Sequence, residues 1–231
     1  MTPTTDPVFL EATRYLDFQD EGIQAFVRRH LVGAEHPRDQ AVALYYAVRD
    51  EIIYDPYSFS LDAVTLTASH VLRAGKSFCV GKAVLLAAVA RAAGIPTRLG
   101  FADVRNHLTS PRLMELMQTD IFRFHGFVEF WLDNRWLKAT PAFNRSLCEK
   151  AGIRALEFDG TQDSVFHPFD STGKRHMEYL RYYEPRADLP VTELFETFVR
   201  HYPRLNAFIS DGSGGNFEDE AIAGAAEELG R

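Results

Sequence analysis

The stretch "GKSFCVGKAVLLAAVARAAGIPTR", residues 75–98, decides how this chain is read. Between Cys79 and Ala93 the only polar side chains are Lys82 and Arg91. A helix that is apolar on every side belongs in the centre of a domain, not on its surface. Ser77 is placed as the N-cap, Gly94 as the residue after the C-cap, and Ile95-Pro96 as the stop. Cys79 then falls in the first turn. There the free backbone N–H groups and the positive end of the helix dipole favour a thiolate, and the same groups suit a developing oxyanion. The plainer reading, a small buried hydrophobe, is the usual fate of a free cysteine.

Outward from this helix, composition sets bounds. With 231 residues, 46% hydrophobic and 13% aromatic, the chain can bury a core as one domain. A formal charge of -7 and no cluster of Lys and Arg argue against a nucleic-acid partner. The longest apolar run, Ala83–Ala90, falls far short of the roughly 20 residues needed to cross a bilayer, so no membrane association is expected. The amino terminus "MTPTTDPVFLEATRYLDFQD" has neither the basic flank nor the apolar run of a secretion signal, and two cysteines make no disulfide framework. These features predict a soluble cytoplasmic protein with both thiols reduced.

Upstream, "DEGIQAFVRRHL" and "HPRDQAVALYYAVRDEIIYD" have helical spacing, with Pro37 in a first turn and Asp55-Pro56 as a stop. "TASHVLRAG" reads as a short helix, "TRLGFADV" as a strand and "SPRLMELMQ" as a linking helix. In "FHGFVEFWLDNRWLKAT", apolar and aromatic residues flank Asp133-Asn134, a pair suited to a two-residue hairpin turn. Registered on that turn, Leu132 faces Arg135, Trp131 faces Trp136, Glu129 faces Lys138 and Phe127 faces Thr140. Alternation then puts His125 on the face of Phe127, Glu129, Trp131 and Thr140, with Thr140 diagonal to it at roughly 5–8 Å. Beyond Arg145, "RALEFD" and "HMEYLRYYE" read as strands and "PVTELFETFVRHY" as a helix. The expected organisation is one domain over 1–210, with core motifs at about 40–145 and a C-terminal embellishment at 146–210. An acidic tail over 211–231 is expected to be loose or weakly helical.

"GKSFCVGKAVLLAAVARAAGIPTRLGF" followed by "HGFVEFWLDNRWLKATP" resembles the transglutaminase-like superfamily of papain-like Cys-His-Asp enzymes. The carrying features are a cysteine opening a helix that ends in Gly94-Ile95-Pro96-Thr97-Arg98 and a strand opening with His125 and running through Val128 and Glu129. Trp136 follows, and "LYYAVRDEIIYD" stands where the family has its approach helix. The resemblance implies an α+β fold in which a central helix carrying the cysteine packs on an antiparallel sheet carrying the histidine, with extra N-terminal helices. It also implies Cys79 as nucleophile and His125 as its base. Where the family pattern has the triad aspartate, this chain has Thr140 before Pro141. A threonine can hydrogen-bond an imidazole but cannot stabilise imidazolium by charge. Asn144 is the first substitute to consider, since papain-like enzymes orient the histidine with an asparagine. Thr140 as an ordinary strand residue and Asn144 as a helix cap are the alternatives.

The expected function is cysteine-dependent acyl transfer, most simply hydrolysis of a peptide or amide through a thioester, on a peptide, protein or small amide or ester substrate. That cycle requires no metal or organic cofactor. Two rivals stand beside it. One is a binding or scaffold protein that keeps the fold without the chemistry, as the missing aspartate suggests. The other is a metal-dependent hydrolase drawing on Asp163, His167, Asp170 and His176, whose spacing fits no compact metal motif. Cys148 reads as a buried structural thiol, and Asp103, Arg105 and His107 as loop residues that could rim the site.

Overall fold

Local signals place most helices where the spacing predicts them. Asp20 accepts the first N–H groups of α1 (Glu21–His30), Thr67 caps α3 (Ala68–Ala74), and Ser110 caps α5 (Pro111–Met117). Pro37 opens α2 (Pro37–Glu51) at the position where a missing N–H costs nothing. The computed structural model describes residues 6–107, 109–166, 177–211, 217, 219 and 220. After α2 a two-residue strand, β1 (Ile53–Tyr54), pairs in parallel with β2 (Lys76–Ser77), and this pairing leads the chain into α4 (Cys79–Ala92).

Every residue of α4 from Cys79 to Arg91 is buried. α1, α2 and α3 pack on it from one side and β3 (Thr97–Asn106) and β4 (Ile121–Leu132) from the other. Fully burying each Val or Leu contributes about 1.5–3 kcal/mol, so the helix is the core around which the other elements assemble. Its two cations serve as anchors. Lys82 Nζ donates to Arg49 O at 2.8 Å and Ile52 O at 2.5 Å, closing the carbonyl end of α2. Arg91 donates to the carbonyls of Thr97, Glu11 and Ala187, tying the far end of α4 to both flanks of the chain. Gly94, at φ 77, makes the left-handed exit that the sequence calls for.

The main sheet is antiparallel in the order β5-β4-β3-β6, with β5 at Arg135–Ala139 and β6 at Met177–Tyr182. The β4–β5 hairpin turns through Asp133 and Asn134, both at positive φ (49° and 65°), and keeps the predicted register. The helices α6 (Arg145–Lys150), α7 (Val191–His201) and α8 (Pro203–Ser210) complete the described chain. The expected α+β architecture is therefore present: a central cysteine-bearing helix against an antiparallel sheet that carries the histidine, with extra helices before it.

Three local expectations change. The N-cap of α4 is Phe78, because Ser77 is already paired to Tyr54 in the β1–β2 bridge. "RALEFD" forms no strand; Leu156 O is taken instead by the Tyr45 hydroxyl and Arg49. Glu129 does stand opposite Lys138, but its ion pair goes to Arg98 on the other neighbouring strand at 2.6 Å, while Lys138 turns to Asp163. The Arg of the Gly-Ile-Pro-x-Arg phrase and the Glu of the histidine strand are thus one buried contact.

Candidate active site

Cys79 is the first residue of α4 and is 6% exposed. No side chain caps this helix. Its first-turn N–H groups are left to the sulfur instead: the backbone N–H groups of Cys79 and Val80, joined by that of Gly126 on β4, lie around Sγ and each favours the thiolate. Burial outweighs them and pushes the thiol up to about 11. The contact with Gly126 fixes the site, since it sets the sulfur against the backbone of the residue that follows His125.

His125 is 4% exposed and pairs with Ala102 across β3–β4. Burial lowers its imidazole to about 4, and no carboxylate among the described residues acts on it. The resting pair at neutral pH is therefore an uncharged thiol and an uncharged imidazole. Among the described residues, Nε2 of His125 is buried without a hydrogen-bond partner, as are the hydroxyls of Thr140, Ser164 and Tyr179. Thr140 adjoins both Tyr179 and Ser164. Tyr179 faces Thr140 and the Phe166 backbone without hydrogen-bond geometry and lies within electrostatic reach of Cys79. The His125 ring is 5.6 Å from that of Phe166, and Ser164 bridges to Ala139 beside Thr140. Buried polar groups are seldom left unpaired in folded proteins, and a cluster of them marks a place built for something other than stability.

The structure places Thr140 at this cluster, 1% exposed, with its carbonyl held by the Tyr45 hydroxyl at 3.2 Å. Asn144 is equally buried but committed elsewhere: its Oδ1 accepts from Tyr54 N at 3.0 Å and its Nδ2 donates to Ser146. It stands at the N-cap position of α6 without capping it. Cys148 is a buried free thiol, as read, held up to about 11 by burial. Arg105 and His107 are engaged with Asp120 and Glu178, whereas Asp103 is 4% exposed and paired to Arg123. Of the metal-site residues, His167, Asp170 and His176 lie outside the described residues. Among the described ones no group of three possible ligands occurs.

Sequence reading missed Tyr179, Gly126 and Arg123. Tyr179 lies in a strand pattern with nothing to single it out, and Gly126 carries no side-chain signal inside the His125 motif. A pocket lined by Cys79 opens between β4, α5, α7 and α8. Among the described residues its walls are apolar or aromatic apart from Arg123, with Tyr54, Phe78, Met117, Phe122 and Phe198 among them. Phe217 packs on Tyr54 and Tyr57 at 5.5 and 6.4 Å, and Glu220 accepts from Tyr57 and Arg112. Among the described residues no helix is long and apolar enough to cross a membrane.

A search of curated proteins finds no match to this chain. Among solved structures it resembles one described as a "Putative Cysteine Protease from Cytophaga hutchinsonii", at 18% identity and a TM-score of 0.47. The likeness covers 60% of this chain and 43% of that one, so the chain spans less than half the length of the protein it matches. The family model of the transglutaminase-like superfamily matches residues 24–141, about half of the chain, from α1 through the Cys79 helix and the His125 strand to Pro141. With this match, and with a thiol at the head of a central helix beside a histidine strand, the chain belongs to the transglutaminase-like superfamily.

Proposed function

We propose that this protein is a cysteine-dependent acyl-transfer enzyme of the cytosol that hydrolyses a peptide or amide bond, with Cys79 as nucleophile and His125 as its base. The observation that carries this reading is the convergence of three backbone N–H groups, from Cys79, Val80 and Gly126, on a sulfur fixed at the start of a buried helix. Donors so placed suit an oxyanion formed by attack at Cys79.

In the proposed cycle His125 takes the thiol proton as sulfur attacks the carbonyl. The N–H groups hold the oxyanion, and His125 returns the proton to the leaving amine as the C–N bond breaks. Water, deprotonated by His125, then adds to the thioester, and the thiolate leaves and regains its proton. Because the resting pair is uncharged, His125 works as a general base during attack, and no preformed ion pair is needed. The hydroxyls of Thr140 and Tyr179, unpaired among the described residues, are the proposed acceptors for the imidazolium, and Asn144 contributes by holding Tyr54.

The second reading, a fold kept for binding without catalysis, draws on the same burial, which disfavours both charged forms. Alkylation of native protein by iodoacetamide, mapped on each cysteine across pH 5–10, separates the two. The enzyme reading expects labelling of Cys79 to drop by about 10²-fold or more in His125→Ala, the usual contribution of a general base. Equal labelling in both proteins leaves the scaffold.

A further inference from the structure

Across the β3–β4 pair, Ala102 faces His125 and Val104 faces Phe122. One residue of β3, Asp103, therefore stands opposite two of β4, Arg123 and Phe124. This is a β-bulge, and Phe124 occupies it at φ 58, a conformation uncommon for a bulky residue. β6 shifts register at the same level, between Asp103 and Val104. Bulges beside sites re-aim side chains, and the residue re-aimed here is Arg123, among the described residues the one charged side chain lining the pocket that contains Cys79.

Arg123 is held from both ends. Its backbone N–H donates to the Tyr202 hydroxyl at 2.6 Å, and its Nη1 donates to Asp103 Oδ2 at 2.9 Å. Asp103 is fixed in turn through Oδ1, which accepts from the Tyr183 hydroxyl at 2.9 Å and Phe124 N at 3.3 Å. This use of Asp103 satisfies its carboxylate and takes only one of the five N–H donors of the guanidinium. The side chain keeps 32% of its surface exposed.

We propose that Arg123 is the specificity-determining residue of the Cys79 site and binds a carboxylate of the substrate. The substrate class is then an amide or peptide whose apolar or aromatic group fills the pocket and whose carboxylate lies within reach of Arg123, bringing the scissile carbonyl to Cys79. An aromatic-walled pocket with a single oriented guanidinium recognises one apolar body and one planar anion. The assignment rests on Cys79 as the nucleophile, and its test separates the two claims.

The first measurement compares the rates at which iodoacetate and iodoacetamide label Cys79. In Arg123→Gln the iodoacetate-to-iodoacetamide ratio falls about tenfold, the loss of one charge-assisted contact, while the iodoacetamide rate changes less than twofold. The second measurement is binding of 3-phenylpropanoate to Cys79→Ser, followed by NMR titration, with 3-phenylpropanamide as the neutral comparison. The acid binds at least fivefold more tightly than the amide, and Arg123→Gln removes the difference. Should Arg123→Gln fail to fold, Arg123→Lys keeps the charge against Asp103 but not the planar fork, and loses the preference severalfold. A labelling ratio and an acid preference both unmoved by these substitutions overturn the role of Arg123. Binding that depends on Arg123, with Cys79 inert to both reagents, upholds the carboxylate site and refutes the nucleophile.

Discussion

Gly126 lies directly against Val80: a Cβ at position 126 would come 2.8 Å from Val80 Cα and 3.3 Å from Cys79 O. Only a strand residue without a side chain lets the start of α4 rest on the β4 backbone. That approach brings a helix-borne thiol beside a strand-borne histidine.

Gly126→Ala is expected to push the helix start off the strand. The methyl meets backbone, which cannot rotate away, so overpacking costs about 1–3 kcal/mol. Thermal unfolding reads that loss. Iodoacetamide labelling of Cys79 reads the displacement of the sulfur from Gly126 N–H and His125, and is expected to fall at least tenfold relative to native protein. A variant as stable and as reactive as the native chain would show that the contact positions nothing.

His125 makes stability depend on pH in a defined direction. Its folded value, about 4, lies below the ordinary value of 6.5, so the unfolded chain binds the proton more readily. Stability from this group is fully present above pH 6.5 and is lost as pH falls towards 4, by ~3 kcal/mol in all. Urea unfolding of native protein and His125→Gln at pH 7 and pH 4 isolates it: the native chain should lose ~3 kcal/mol more than the variant between the two. Equal losses would mean the ring is not held neutral.

Thr140→Val should cost under about 1 kcal/mol in thermal or urea unfolding, because the buried hydroxyl it deletes has no hydrogen bond to lose. Thr140→Asp restores a carboxylate at the position of the family aspartate. It is expected to raise the His125 pKa by at least one unit in an NMR titration, since an opposite charge nearby favours imidazolium. No change in that titration would place residue 140 out of reach of the ring.

Arg98→Met strips the partner from a buried carboxylate, Glu129, which is 5% exposed. A loss of about 3–5 kcal/mol is expected from the single substitution, and most of it should return in the Arg98→Met, Glu129→Met double variant, where no charge is left buried. A double-mutant cycle by urea unfolding gives both numbers. Additive losses would show that the pair is not coupled.

The sequence by itself determined whatever depends on neighbours along the chain. The run from Val80 to Ala90, apolar apart from Lys82, required a central helix, Asp133-Asn134 required a tight hairpin, and the turn set the register that puts Trp131 opposite Trp136. From these, Cys79 at a helix start and His125 in a strand of the same core followed. Only the tertiary structure decided matters of contact between distant segments. Glu129 had two cross-strand neighbours, Lys138 and Arg98, and the spacing of the hairpin showed just one of them. Asn144 looked free to orient a histidine until β1 supplied the Tyr54 N–H that takes its side-chain oxygen. The bulge at Arg123 and Phe124 has no local signature, because two residues facing one is a property of a pair of strands, and a bulky residue at φ 58 is held there by its neighbours rather than by its own preference. Patterns along the chain specify periodicity and turns; burial, ion-pair choice and the aim of a side chain are set by which segments meet, and that depends on the whole fold.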